Sequence, residues 1–180
     1  MKMPTLLLYC VLHFACASRL RAAGMDELKK LAEQGDSAAQ AALGVKYLWG
    51  KEVPINDARA FEWLLKAALQ RNADAQYVLG TAYASGIGVS KDDAKAADWY
   101  NRGAVNGNVD AQYSLATMYA DGSGISKDEI RAYAWFNLSA ARNYRDSAVQ
   151  RDALAKRMTK DDQTKAQNIS AELFAKMPKK

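Results

Sequence analysis

A spacing of 36 residues recurs along most of this sequence and restricts the folds that it can adopt. An Ala-Gln pair and five single positions return at this interval without a gap. The repeated positions are Ala39-Gln40, Ala75-Gln76 and Ala111-Gln112; Leu43, Leu79 and Leu115; Tyr47, Tyr83 and Tyr119; Gly50, Gly86 and Gly122; Trp63, Trp99 and Trp135; and Ala68, Ala104 and Ala140. A constant period of roughly 20 to 50 residues is typical of a solenoid, because one unit cannot bury its hydrophobic face until a neighbour stacks on it. The sequence therefore predicts a short array of stacked repeats.

Each unit contains two helical patterns separated by a glycine-rich segment. In the second unit, Ala75, Leu79 and Tyr83 fall on one stripe of a first helix, and Trp99 lies on a second helix after the segment 85–90. Six side chains with an oxygen atom stand directly before predicted helices, where they can accept hydrogen bonds from free backbone N–H groups. These predicted caps are Asp36, Asn56, Asn72, Asp92, Asn108 and Asp128. We therefore predict an all-α solenoid of antiparallel helix pairs, with the leucine, tyrosine and tryptophan columns as its core.

The repeats leave an atypical segment at each end of the array. The first of these aligns with the second half of a unit and predicts a half-repeat cap. After the third repeat, Thr159 followed by Asp162 is typical of a capping box and predicts a last helix over about residues 160–176. The predicted segments are a signal peptide at 1–17, a half-repeat cap at 25–35, repeats at 36–71, 72–107 and 108–143, a capping helix pair at 144–176 and a basic tail at 177–180.

The first residues of the chain have the pattern of a secretory leader. The apolar run LLLYCVLHFACA follows a short start that carries Lys2, and it ends at a small-x-small motif before Ser18. The run is too short for a transmembrane helix, so we expect a signal peptide cleaved after Ala17 and a periplasmic or secreted protein. Two alternatives stay open: acylation of Cys16, which would make the chain a lipoprotein, and a start at Met25, which would make it cytoplasmic.

The composition of the cleaved chain argues against several kinds of chemistry. Cys10, His13 and Cys16 are the only cysteines and histidine, and all three lie in the leader. Without them the chain lacks a Ser-His-Asp or Cys-His site and the usual zinc ligands, so we predict a protein that is not an enzyme and holds no metal or cofactor. Three carboxylate pairs stand at predicted helix starts, where the helix dipole favours negative charge and capping is the expected role. They are Asp92-Asp93, Asp128-Glu129 and Asp161-Asp162.

Two further classes of ligand are not expected. The net charge is +5, and it becomes +4 without Lys2, with acidic and basic residues interleaved; this pattern does not favour nucleic acid as a partner. The Gly-x-Gly segments precede Asp-capped helices and lack the Lys-Ser/Thr of a phosphate-binding loop, so we interpret them as spacers between helices.

The complete set of motifs resembles a known repeat family. The order Ala-Gln, Leu-Gly, Tyr, Gly-x-Gly-Val, Asp, Ala, Trp-Tyr and Ala at 36-residue spacing resembles the Sel-1-like repeat family, a relative of tetratricopeptide repeats, over about residues 25–176. The stretch AYAWFNLSA, followed by RDALAKRM and a polar helix, is similar to secreted bacterial members. The resemblance implies a right-handed superhelix whose first helices line a concave surface that binds another protein or peptide. Some relatives bind or hydrolyse β-lactams, but they are rich in disulfides, and the cleaved chain has no cysteine.

Residues that face the partner should be those that do not repeat. Positions 42, 46 and 49 of the first unit and their equivalents form a stripe with varied chemistry down the first helices. The predicted contacts on and beside this stripe are Lys46, Trp49, Met118 and Asp121, flanked by Tyr77 and Tyr113. For Trp49, packing against the loop before Pro54 is an equal alternative.

The resulting hypothesis is a monomeric, non-enzymatic adaptor of the bacterial cell envelope. One alternative is an immunity-type protein that binds a single toxin or effector. Another is an envelope hydrolase that depends on carboxylates.

Overall fold

The computed structural model describes residues 24–178, so the predicted leader, with Cys10, His13, Cys16 and the cleavage site after Ala17, lies outside the described residues. Within 24–178 the chain forms helices and no strands. The helices are α1 (Met25–Glu33), α2 (Ser37–Trp49), α3 (Asp57–Leu69), α4 (Ala73–Ser85), α5 (Asp93–Val105), α6 (Val109–Asp121), α7 (Glu129–Ala140), α8 (Ser147–Ala155) and α9 (Lys160–Lys176).

The helices stack in the order of the chain. Each helix from α1 to α7 packs against the next one, and α9 returns to pack against α7, so α8 and α9 both cover the last full repeat. Helices α2, α4 and α6 are the first helices of the three repeats, and α3, α5 and α7 are the second helices. The prediction of an all-α repeat solenoid is confirmed.

The predicted caps begin the helices as expected. In all six, the side-chain oxygen accepts a hydrogen bond from the backbone N–H three residues later, with N···O distances of 2.7–3.0 Å. Thr159 Oγ1 likewise accepts from the Asp162 N–H at 3.1 Å, and α9 has the predicted bounds. The three first helices end at Gly50, Gly86 and Gly122, whose φ angles of 64°, 70° and 78° lie in the left-handed region that glycine adopts without strain.

The repeated leucines form the centre of the stack. Leu43, Leu79 and Leu115 are buried, and each lies on a first helix. Close helix packing surrounds them: a Cβ atom added to Gly80 would lie 2.5 Å from Cδ1 of Tyr100, so only glycine allows this approach of α4 and α5.

The aromatic columns are less uniform than the sequence predicts. Tyr47 and Trp135 are buried, whereas Tyr83 and Tyr119 are partly buried beside the core. All three tryptophans, predicted as core, pack against it, but Trp63 and Trp99 are only partly buried at its edge. Trp135 differs because it lies on α7, the helix that both α8 and α9 cover.

The outer parts of these two tryptophans are covered by cations of their own helices. Lys66 Nζ lies 4.2 Å from the ring centroid of Trp63, and the Arg102 guanidinium carbon lies 4.8 Å from that of Trp99. A cation over an indole face is attracted by the ring quadrupole, so the exposed rings gain a partner without burial.

Candidate functional site

Trp49 and one edge of the predicted stripe form an apolar cleft between the first two repeats. The indole is partly buried at the end of α2. The side chains that line the cleft come from α2, from α4 and from the loop after α4: Val45, Leu48, Trp49, Val78, Thr81, Ala82 and Ile87. Its cavity volume is only about 10 Å³, room for about one water molecule. The cleft is therefore a shallow apolar seam with the indole at its rim.

Lys46 is next to this cleft but already has a partner. Its Nζ atom lies 2.6 Å from Oε1 of Glu52, in the loop that follows α2. Glu52 has a φ of 67°, close to the 69° and 70° of Gly88 and Gly124 at the equivalent positions, so a side chain occupies a left-handed conformation here. The hydrogen bond from Lys46 and then its positive charge lower the pKa of the Glu52 carboxyl group. The ion pair ties the first loop to α2 beside Trp49.

Two of the predicted partner contacts are instead packing residues. Tyr77 is 2% exposed, and its ring centroid lies 5.8 Å from that of Tyr100; Met118 is 8% exposed. The residues of α4 from Ala75 to Ala82 are all buried, because α3, α5 and α6 all pack against this helix. We therefore correct the assignment of Tyr77 and Met118 from partner contact to core packing.

Tyr113 belongs to a separate cluster at the end of the array. Its hydroxyl group donates to Oδ1 of Asp146 at 2.7 Å, and its ring meets those of Phe136 and Tyr144 edge-on at 5.4 and 5.7 Å. The guanidinium group of Arg145 lies 5.4 Å from the Tyr113 ring centroid. These contacts join α6 to the segment between α7 and α8, so Tyr113 joins the last repeat to its cap.

Asp121 is exposed at the end of α6. Of the six predicted contact residues, the structure brings only Lys46 and Trp49 together, on the last turn of α2. The shared stripe is interrupted at α4, where Val78 and Ala82 are buried.

The Tyr113 cluster predicts a loss of stability at high pH. Burial, and then the hydrogen bond to Asp146, raise the pKa of Tyr113 from 10.0 to about 12. The folded state thus favours the neutral phenol. The contribution of the Tyr113 hydroxyl group to stability is complete below its pKa in the unfolded chain, and it is lost as the pH rises from 10 towards 12. We expect the free energy of unfolding of the wild type to approach that of Tyr113→Phe between about pH 9 and about pH 11, measured by urea unfolding. A constant difference between the two proteins over this range would contradict the prediction.

The paired carboxylates act at helix starts. Asp92 caps α5 and lies 3.3 Å from Lys95 Nζ, and Asp128 caps α7 and lies 3.4 Å from Nε of Arg131. The backbone hydrogen bond from Lys95, followed by contacts with the Lys95 side chain, lowers the pKa of Asp92, although burial opposes this. A carboxylate that is held ionised as a helix cap is poorly suited to deliver a proton.

A second cavity, which the sequence analysis missed, lies where α3, α4 and α5 meet. Its volume is about 320 Å³, and its lining residues are Ala68, Leu69, Arg71, Gln76, Asn101, Arg102, Val105 and Asn106. One sequence signal could have indicated it: Arg71 stands in the turn where the neighbouring units have Gly35 and Gly107.

Between residues 24 and 178, no helix is both long and apolar enough to cross a membrane. Over the same range, His, Cys, Asp and Glu side chains form no group that could hold a metal ion.

Comparison with known proteins identifies relatives of the repeats. A family model described as the Sel1 repeat matches three consecutive segments, at residues 37–72, 73–108 and 109–144. Among proteins with curated descriptions, none matches the chain.

Three solved structures are similar to the chain. A Sel1 repeat protein from Oxalobacter formigenes is 37% identical, with a TM-score of 0.68 over 72% of this chain and 97% of its own. A protective antigen with an SLR fold from uropathogenic Escherichia coli is 30% identical, with a TM-score of 0.74 over 95% of this chain and 37% of the antigen. The cysteine rich protein B of Helicobacter pylori shares the fold at 23% identity and a TM-score of 0.56, over 71% of this chain and 96% of its own.

Proposed function

The chain belongs to the Sel1 repeat family, and from this premise we propose that it is an exported adaptor that binds a partner protein at the Trp49 cleft. Sel1 repeat proteins are generally non-enzymatic scaffolds, and the fold supports a general protein-binding role.

We choose this surface because apolar side chains form a rim around Trp49. Ile55 is 67% exposed and lies directly over Gly50, the residue that follows Trp49. Ile55 thus places an exposed apolar side chain at the end of α2, near Trp49 at the rim of the seam and near the Lys46–Glu52 ion pair. Tryptophan is enriched among the residues that contribute most to binding energy, and charged groups at a rim favour one orientation of the partner. Because the seam itself is nearly full, a partner would cover the indole rather than enter a deep pocket.

The Trp49→Ala variant tests this choice. Wild type, Trp49→Ala and Phe174→Ala would be immobilised and exposed to an envelope extract of the native host. Phe174 is a matched control because it is 66% exposed and lies on α9, outside the cleft. We expect Trp49→Ala to bind the captured partner about 30-fold more weakly, and Phe174→Ala to bind like the wild type. Equal binding by all three proteins, or capture by none of them, would contradict the proposal.

We also propose that the protein is exported. It is supported by the positively charged start, the apolar run and the small-x-small motif before Ser18. The test is the intact mass of the protein purified from its own host. A chain that begins at Ser18 supports export, and a diacyl or triacyl mass on Cys16 would place the adaptor on a membrane surface. A chain that begins at Met1 or Met25 would contradict export.

A further inference from the structure

The second cavity is lined by two cationic side chains that form no ion pair with any carboxylate of the described residues. Arg71 comes from the turn between α3 and α4, and Arg102 comes from α5. Neither guanidinium group forms an ion pair with a carboxylate among residues 24–178, and no acidic residue lines the cavity. The cavity is therefore lined by two positive charges and by no negative one.

Neutral groups position both arginines. Arg71 Nη2 donates a hydrogen bond of 3.1 Å to Oδ1 of Asn106, and Arg102 lies over the ring of Trp99. The other amide atom of Asn106 donates to Oε1 of Gln76 at 2.8 Å. Gln76 is 3% exposed, and its Nε2 atom donates to the carbonyl oxygen of Ala68 at 2.9 Å. A hydrogen-bonded chain that runs from the buried Gln76 through Asn106 to the surface thus orients Arg71, while its charge stays available to a ligand.

Arg71 occupies a backbone conformation that is unfavourable for its residue type. Its φ angle is 63°, whereas Gly35 and Gly107 occupy the equivalent turns with φ angles of 95° and 91°. A left-handed conformation costs a residue with a Cβ atom roughly 1–2 kcal/mol relative to glycine. Strained residues persist where the surrounding structure holds them, and they are concentrated at functional sites. Asn143 has a φ of 52° at the equivalent turn after the third repeat, so the turn itself requires this conformation, and Arg71 is the charged residue that occupies it.

The pair of arginines occurs at one junction of the array. At the next junction, 36 residues further along the chain, Gly107 and Leu138 stand at the positions of Arg71 and Arg102. The charge therefore does not follow from the repeat pattern, and the next junction shows that the fold accepts uncharged residues at both positions.

We propose that this cavity binds the carboxylate of an acidic side chain in a partner peptide, with an apolar neighbour of that side chain resting on Leu69. Guanidinium groups bind carboxylates through paired charge-assisted hydrogen bonds, and the amides of Asn101 and Asn106 add polar atoms at the rim. Leu69 is 66% exposed and forms the apolar wall together with Val105. This inference rests on the proposed function, because it takes the partner to be a protein, but it concerns a surface separate from the Trp49 cleft.

The test is an NMR titration of the full-length protein with the acidic dipeptide N-acetyl-Leu-Glu-amide. N-acetyl-Leu-Gln-amide is the uncharged control, and inorganic phosphate reports general anion binding. The test variant is Arg71→Gly with Arg102→Leu, which places the residues of the next junction, Gly107 and Leu138, at this one. The matched control is Lys160→Gln with Lys176→Gln, which removes the same charge from α9.

We expect the acidic dipeptide to shift the resonances of residues 71, 102 and 106 and to bind about tenfold more tightly than the glutamine dipeptide or phosphate. The arginine double variant should lose this binding, and the lysine double variant should keep it. Absence of shifts, equal binding of the two dipeptides or equal binding of phosphate would each overturn the proposal. If the cavity failed to bind the dipeptide but Trp49→Ala still weakened partner capture, this inference would be wrong and the proposed function would stand.

Discussion

Gly124→Ala should lower the free energy of unfolding by about 4 kcal/mol, because the new methyl group has no room and the backbone cannot easily adapt. Gly124 has a φ of 70°, and an added Cβ atom would lie 2.3 Å from the backbone carbon and oxygen of Asp93. Those atoms belong to the first residue of α5, so the third repeat would have to separate from the second. The measurement is urea unfolding followed by circular dichroism.

Gly107→Ala is the matched control for this prediction. Gly107 also has a positive φ, of 91°, but no atom lies within 4 Å of an added Cβ. This variant carries only the conformational cost, so we expect a loss of about 1–2 kcal/mol. Equal losses in the two variants would show that the close approach of Gly124 to Asp93 contributes nothing to stability.

Much of the fold could be predicted from the sequence, because it depends on local chemistry. The glycines at the ends of the first helices and the oxygen-bearing caps before the helices specify where each helix begins and ends. A cap such as Asn72 acts on a backbone N–H only three residues away, so its effect does not depend on the rest of the molecule. The same holds for Thr159 and Asp162 at the start of α9.

The candidate site could be predicted only in part, because exposure depends on every helix that packs nearby. Tyr77 and Met118 lie on the expected helices, but α4 and α6 are covered on more sides than a two-layer array would suggest. Trp63 and Trp99 pack against the core as predicted but are less buried than Trp135, since their helices lack the extra cover that α7 receives from α8 and α9. A repeat column thus predicts equivalent positions without predicting equal burial, and the terminal helices decide the difference.

The glutamines of the Ala-Gln pairs are a second feature whose role the sequence did not reveal. Gln40, Gln76 and Gln112 each donate from Nε2 to the carbonyl oxygen of the alanine eight residues earlier, at 2.9–3.2 Å. Gln163 makes the same bond to Ala155 at 2.8 Å, which extends the pattern to the junction of α8 and α9. Each bond joins the end of one helix to the start of the next.

The Oε1 atoms of these glutamines can accept a hydrogen bond from the side chain 30 residues later in the chain. Gln70 donates to Oε1 of Gln40 at 2.7 Å, and Asn106 donates to Oε1 of Gln76. The next residue in this column is Arg142, which donates instead to the carbonyl oxygen of Gly107 at 2.6 Å. Among the described residues, Oε1 of Gln112 is buried and has no hydrogen-bond partner. Of these three equivalent glutamines, Gln40 and Gln76 thus accept a hydrogen bond at Oε1, and Gln112 does not.

This difference predicts that Gln76→Met lowers the free energy of unfolding by about 2 kcal/mol, since methionine fills a similar volume but removes two hydrogen bonds. The Ala68 carbonyl oxygen would lose one donor, and the Asn106 amide would lose its acceptor. The change should also release Arg71, so the acidic dipeptide should bind less tightly to this variant. Urea unfolding and the NMR titration measure the two effects separately.

Gln112→Met is the matched control at the same position of the next repeat. It removes the hydrogen bond of 3.2 Å to the Ala104 carbonyl oxygen and that of 3.5 Å to Sδ of Met177, a weak acceptor, but it also removes the buried oxygen that has no partner among the described residues. An unsatisfied buried acceptor costs roughly 1–3 kcal/mol, so the gain should offset the lost bond and leave the stability within about 1 kcal/mol of the wild type. If Gln112→Met destabilised the protein as much as Gln76→Met, the acceptor atoms would have no part in the stability of the array. The hydrogen bonds from side chains 30 residues away would then not make Gln76 more important for stability than Gln112.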